Sequence, residues 1–318
     1  MHFKIRPYLS SDLEIWNDFI ITSKNATFLF NRNFMDYHND RFEDFSLMVY
    51  SKEKLIALLP ANKKAQTLYS HQGLTYGGII INENITLPDL ETIFEAVVAF
   101  LKGNGFQNLV IKSFPSLYSS QPNEEVQYIL NKRKAKIIHQ NLILAIDYKS
   151  DFIIYKSKLK RYRKLESGRF EVREGISEFQ PFWKFLLERR LAEKHNTKPV
   201  HTLDEILSLY EAFPKEIIQF NIYLDNVLLA GITIFKTKMT VKSQYGIASA
   251  QGEKLGALDM LFVYLIKKYQ EEGLCYFSMG RINDDGFDGG YNPGMLKQKQ
   301  EFGCHIYPQP VFELKLNG

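Results

Sequence analysis

Two cysteines in 318 residues, Cys275 and Cys304, supply neither a disulfide framework nor a Cys/His zinc pattern. Both read as small buried apolar residues of a reducing compartment. No apolar run reaches the roughly 18 residues a membrane helix needs. Met1-His-Phe-Lys-Ile-Arg6 lacks the apolar centre of a secretory signal, so a cytoplasmic protein is expected. HExxH, GxSxG, Walker and zinc motifs are missing, which removes support from hydrolase and ATPase readings. Low-complexity tracts and long Pro/Gly/Ser linkers are missing too. Nor is there a large charge excess: 40 Lys+Arg against 36 Asp+Glu leave +4, less than a dedicated nucleic-acid binder would carry.

The chain does have length and apolar content. At 318 residues and 45% hydrophobic it fits two ordinary domains with sizeable cores. Aromatics, at 14%, suit packed cores and ligand clefts alike.

The most ordered pattern lies at 217–279. Three apolar runs, Ile217–Leu224, Val227–Phe235 and Met239–Gly246, are split by Asp225-Asn226 and Thr237-Lys238, a β-meander by spacing. A glycine-bearing loop, Ala250–Ala257, leads into a helix over about 257–271, with Leu258, Leu261, Phe262, Leu265 and Ile266 on one face. Gly273 stops it, and Cys275–Met279 reads as a strand. A loop entering a helix offers backbone N–H groups and a positive dipole end to an anion such as a diphosphate. An ordinary β-to-helix loop would use its glycines for backbone geometry alone.

Upstream, strands are expected at 3–8, 45–50, 54–60, 68–70, 78–81 and 108–113. Helices are expected at 12–22, near 32–41, from Pro88 to Gly103–Gly105, and at 124–133. The order helix, glycine stop, strand at 88–113 echoes that at 257–279. Residues 137–148 form one or two strands, and a domain boundary falls near 149–156. A basic helix at 156–168, a strand at 169–174 and helices at 179–194 and 204–213 follow.

Several residues stand out as candidates. His71 and Tyr76 sit in Ser70–Gly78, whose glycines suggest a loop passing close to something. His71 has the intrinsic pKa of a general base, yet a lone histidine is also an ordinary hydrogen-bonded loop residue. Lys156–Lys164 is a basic cluster in which Arg161 and Arg163 suit phosphate, unless it is a solvated face. His195, Pro199 and His201 lie between two helices, where His195 serves a cleft or balances a helix dipole. Arg281, Asn283, Tyr291 and Asn292 follow the 275–279 strand, where α/β folds place polar chemistry. Lys297, Lys299 and Glu301 read as a charged helix face.

The strand–loop–helix–strand order after a meander resembles the acyl-CoA-binding core of the GNAT acyltransferase superfamily. Phe277-Ser-Met-Gly280, Gly289-Gly-Tyr-Asn292, Gly294–Lys299 and Glu301-Phe-Gly303 resemble the C-terminal end of FemAB-like, tandem-GNAT proteins. The resemblance implies an α/β (α+β) fold of two GNAT-like halves, each a mostly antiparallel mixed sheet flanked by helices. The halves would be 1–150 and 151–318, the second bearing the donor and the cleft between them the acceptor. It implies acetyl-CoA as donor, with Gln251, Gly252, Lys254, Gly256 and Ala257 at the pyrophosphate and Gln244, Tyr245, Gly246 and Ile247 along the thioester. Tyr291 would protonate the leaving thiolate and His71 act as base. Tyr76, Arg161, Arg163, His195, Arg281, Asn283 and Asn292 would line the acceptor site. Gly252 and Gly256 stand farther apart than the family's phosphate loop has them. The implied activity is N-acetyl transfer to a small-molecule amine, such as an amino sugar of a surface polysaccharide. A Fem-type aminoacyltransferase using aminoacyl-tRNA and a non-catalytic binding protein on the same fold are the alternatives.

Overall fold

The computed structural model describes residues 3–165, 168–195 and 198–317, excepting the side chains of 194 and 195. The chain forms two compact units, Met1–Asn141 with Pro308–Gly318, and Leu142–Tyr307. No described helix is long and apolar enough to cross a membrane.

In the first unit β1 (Phe3–Pro7), β2 (Leu47–Ser51) and β3 (Lys54–Leu59) pair antiparallel, with Ile80–Ile81 beyond β3. α1 (Leu13–Thr22) buries Trp16, Phe19 and Ile20. α2 (Leu87–Gly103) starts where Thr86 and Asp89 cap each other's backbone N–H groups and Pro88 presets the first turn. Its Leu90, Ile93, Phe94, Val97 and Leu101 recur at helical spacing and are fully buried. β4 (Asn108–Lys112) follows, with Thr67–Tyr69 parallel on one side and the last strand of the chain antiparallel on the other.

The second unit takes in the later part of β5 (Lys136–Asp147), then α3 (Lys156–Tyr162) and β6 (Phe170–Glu174). A π-helical stretch, Pro181–Leu187, runs into α4 (Glu188–His195), and α5 (Leu203–Ala212) follows. The meander is β7 (Ile217–Leu224), β8 (Val227–Lys236) and β9 (Thr240–Ala248). Asp225 and Asn226 both take positive φ, 49° and 62°, as a two-residue hairpin turn requires. Next come α6 (Ala250–Leu255), α7 (Ala257–Glu271), β10 (Tyr276–Arg281), α8 (Pro293–Gln300) and β11 (His305–Lys315). The sheet order is β6-β7-β8-β9-β10-β5. Every neighbouring pair is antiparallel except β9–β10, whose parallel pairing needs the α7 crossover. Met260, Leu261, Leu265 and Ile266 of α7 pack on Ile222, Ile232 and Phe277.

The expected class, a mixed and mostly antiparallel sheet with flanking helices in each half, is the class found. Three local expectations differ. Residues 250–255 are helical rather than a loop, because Ser249 caps them. The basic helix stops at Tyr162 instead of running on to 168. β11 has no counterpart among the expected strands. It pairs antiparallel with β4, from Val311↔Lys112 to Lys315↔Asn108, so 308–318 belongs to the first unit.

Candidate active site

β9 and β10 pair at only three positions, Thr240↔Tyr276, Val241↔Phe277 and Lys242↔Ser278, and then part. Both strands are irregular just past that point. In β9, Tyr245 faces Thr233 and Ser243 faces Ile234, leaving Gln244 as an extra residue. In β10 the register against β5 shifts between Ser278 and Arg281, Gly280 takes φ 72°, and Ser278 Oγ accepts the Gly280 N–H at 3.3 Å. Bulges bend strands, and two of them at one level open a gap.

Side chains at the gap have distinct surroundings. Gln244 Oε1 is buried with no hydrogen-bond partner among the described residues, the state a ligand donor would complete. Gly246 is exposed; a Cβ there would stand 3.6 Å from Ile232 and Phe262 and 3.9 Å from Leu258, so its bare backbone lies beside an apolar wall. Ile247 is half-buried beside it. Tyr245 meets a different set. Its hydroxyl is 2.6 Å from His201 Nδ1 and accepts the His201 N–H at 3.2 Å, and its ring stands edge-on to Trp183. Burial pushes the Tyr245 phenol up to about 12, so it stays protonated at neutral pH.

The expected phosphate loop is built otherwise. Ser249 Oγ accepts the Gly252 N–H at 3.0 Å, Ser249 O accepts that of Glu253, and Glu253 O that of Gly256. Gly252 is buried against β8, where a Cβ would collide with the Leu229 carbonyl; its role is close packing of α6, not an open cradle. Gly256 takes φ 73° between α6 and α7, and Arg161 lies across it. Asp259, in the first turn of α7, is buried and binds Lys158 Nζ at 3.0 Å and Arg161. Lys158 also meets Glu301 at 3.2 Å and stands over the Phe302 ring. The positive end of α7 thus already faces an internal carboxylate with two cations. Gln251 and Lys254 are exposed on α6, and Ala257 is buried. As arranged, 251–257 does not fit a CoA diphosphate.

The residues after β10 do gather. Asn283 Oδ1 accepts the Leu142 N–H at 2.7 Å, and Asn283 bridges Tyr291. Asn292 caps α8 by accepting the Met295 N–H, and its own N–H binds Ile282 O. The two asparagines therefore hold backbone rather than line an open surface. Tyr291 is half-buried against the core, and Arg281 and Arg163 are exposed.

His71 and Tyr76 both belong to the core of the first unit. His71 is 4% exposed, has φ 70° and stacks on His38 at 5.1 Å. Burial, helped by His38, pushes its pKa to about 3, too weak a base for proton abstraction at neutral pH. Tyr76 is 1% exposed, its hydroxyl 2.7 Å from Thr27 Oγ1 and its ring among Phe30, Phe114 and Tyr118. The His195 side chain lies outside the described residues. No group of three potential metal ligands exists among the described residues.

Sequence reasoning misses Asp259 and Lys158 as a buried pair and underrates His201 and Lys299. His201 has a readable sign: it precedes Thr202, whose side chain and that of Glu205 form a capping box. Its contact with Tyr245 spans 44 residues and has no local signature.

Residues 154–288 match a family model described as an acetyltransferase (GNAT) domain. Over the whole chain the fold is similar to FemX, at TM-score 0.72 and 10% identity, covering 100% of this chain and 98% of that one. It is similar to the C-terminal domain of a putative lysylphosphatidylglycerol synthetase from Agrobacterium fabrum, at TM-score 0.60 and 13% identity, covering 97% and 93%. It is also similar to a tandem GNAT protein from the clavulanic acid biosynthesis pathway, at TM-score 0.53 and 11% identity, covering 100% and 99%. No curated protein matches the chain. Residues 154–288 thus carry an N-acyltransferase domain of the GNAT type. Over its whole length the chain shares the fold of FemX and of that tandem GNAT protein.

Proposed function

We propose that the protein transfers an acyl group to an amine in the gap between β9 and β10. The observation that carries this reading is the three-residue pairing of the two strands with Gln244 bulged at its end. A bulge leaves backbone groups unpaired, and an unpaired N–H is the donor an oxyanion needs when an amine attacks an acyl carbonyl. The gap holds the two reactants at bonding distance, which is the larger share of what such an enzyme must do. Tyr291 is the candidate for returning a proton to the leaving group.

Two donors compete. Acetyl-CoA is favoured by the family model. An aminoacyl ester carried on RNA is favoured by the closed loop at 251–257, where Ser249, Leu229, Arg161 and Asp259 use the space and donors a diphosphate requires. Exposed Lys156, Lys160 and Arg163 on and just after α3 also suit a phosphodiester chain. We take the RNA-borne donor as the reading, with an amine acceptor. The test offers acetyl-CoA and aminoacylated tRNA in parallel to a panel of amines, amino sugars included, and follows the products by mass. Products from charged tRNA alone support the reading; products from acetyl-CoA alone reject it in favour of acetyl transfer.

A further inference from the structure

Lys299 carries a charge where charge is expensive. It is 6% exposed, and among the described residues no carboxylate pairs with it. Its Nζ lies instead 3.1 Å from Arg281 O and 3.4 Å from Gly280 O. These carbonyls belong to the bulged end of β10, past the last pairing with β9. Arg281 stays paired with Ile143 of β5, but on the β9 side this end of β10 has no ladder partner, and a carbonyl on that side needs another donor; a buried ammonium without a carboxylate is retained only against a substantial desolvation penalty. Each is the other's compensation.

We propose that Lys299 is a positioning residue of the acyl-transfer gap: from α8 its ammonium ties down the Gly280 and Arg281 carbonyls and keeps the end of β10 bent away from β9. The inference rests on the acyl-transfer reading for its purpose, but on the geometry alone for its mechanics. The same bend sets the start of Ile282–Asn283, whose backbone and side chain bind Leu142. Burial also brings the lysine down to about 8, so the clamp exchanges its proton within reach of ordinary assay pH. Its titratable neighbour is Cys304, whose thiol burial pushes up to about 12 and which therefore stays neutral. Glu301, two residues on, is tied to Lys158, and Arg281 is exposed.

The test uses the full chain with Lys299→Met, which keeps length and loses the donors, and Lys299→Gln, which keeps a shorter donor. The first readout is amide hydrogen exchange across 279–283. We expect at least a tenfold faster exchange there in Lys299→Met, an intermediate rate in Lys299→Gln, and unchanged exchange in α7. The second is acyl transfer with whichever donor the wild type uses. We expect kcat to fall at least 30-fold with donor KM changed less than threefold, and the wild-type inflection near pH 8 to vanish. Unchanged exchange at 279–283 in Lys299→Met overturns the proposal whatever the activity. If Lys299→Met does not fold, the same exchange reading on Lys299→Gln decides. A wild type that uses neither donor rejects acyl transfer, and the exchange result alone then judges Lys299.

Discussion

Arg161 lies across Gly256: a Cβ on that glycine would stand 2.6 Å from Arg161 Cδ, and the guanidinium beyond it binds the buried carboxylate of Asp259. The turn that should greet a diphosphate is thus covered by the protein's own cation and faced by its own anion. Asp259→Ala would leave Lys158 buried beside Glu301 alone, and breaking a buried pair from one side costs about 3 kcal/mol. A denaturant titration of Asp259→Ala against wild type measures this, and a loss under about 1 kcal/mol would argue that the carboxylate is not holding the turn.

Gly252→Ala and Lys254→Ala distinguish packing from phosphate binding at α6. The first puts a methyl into the Leu229 carbonyl and is expected to lower stability by about 2 kcal/mol or more, while the second, exposed, stays within about 0.5 kcal/mol. Thermal melts of both variants suffice. A Gly252→Ala protein as stable as wild type would return that glycine to the role the sequence suggested.

Gln244→Leu should separate stability from activity. It removes a buried acceptor that has no partner among the described residues, so the melting temperature is expected to hold or rise. Transfer is expected to fall by about 100-fold, the scale for a substrate misplaced by the loss of a contact that positions its N–H. Full activity in a well-folded Gln244→Leu would move the chemistry away from the bulge.

The first unit should weaken in mild acid. His71 has a folded pKa of about 3, below the 6.5 of an unfolded histidine, so below pH 6.5 the unfolded chain binds the extra proton. Stability is therefore full above pH 6.5 and falls by about 1.4 kcal/mol per pH unit between there and pH 3, with His38 adding in the same direction. Urea midpoints at about pH 7.5, 6 and 5 give the slope. His71→Asn, compatible with the positive φ at this site, should flatten it; an unchanged slope would assign the acid sensitivity to other groups.

Much of the fold was legible because its signals are local. Asp225-Asn226 marks a turn that needs two positive φ values, and Leu258, Leu261, Phe262, Leu265 and Ile266 recur at helical spacing. β11 was missed: Phe312 and Leu314 are buried at alternate positions, but Pro308 and Pro310 near its start disguise it. The site was less legible because its logic spans the chain. A glycine announces that something comes close without saying what, and at Gly252 it is the carbonyl of Leu229. Lys299 reads as surface charge until α8 is packed beside β10. His71 had the intrinsic pKa of a base, and burial beside His38 removed it.

Calorimetric titration of the wild-type protein with acetyl-CoA, with free CoA beside it, tests the closed turn at Gly256 and the donor assignment built on it. The account predicts no micromolar binding of either ligand. A dissociation constant near 1 μM, about −8 kcal/mol, would contradict it. Abolition of that binding by Gly256→Glu would then locate the diphosphate at the turn that Arg161 covers.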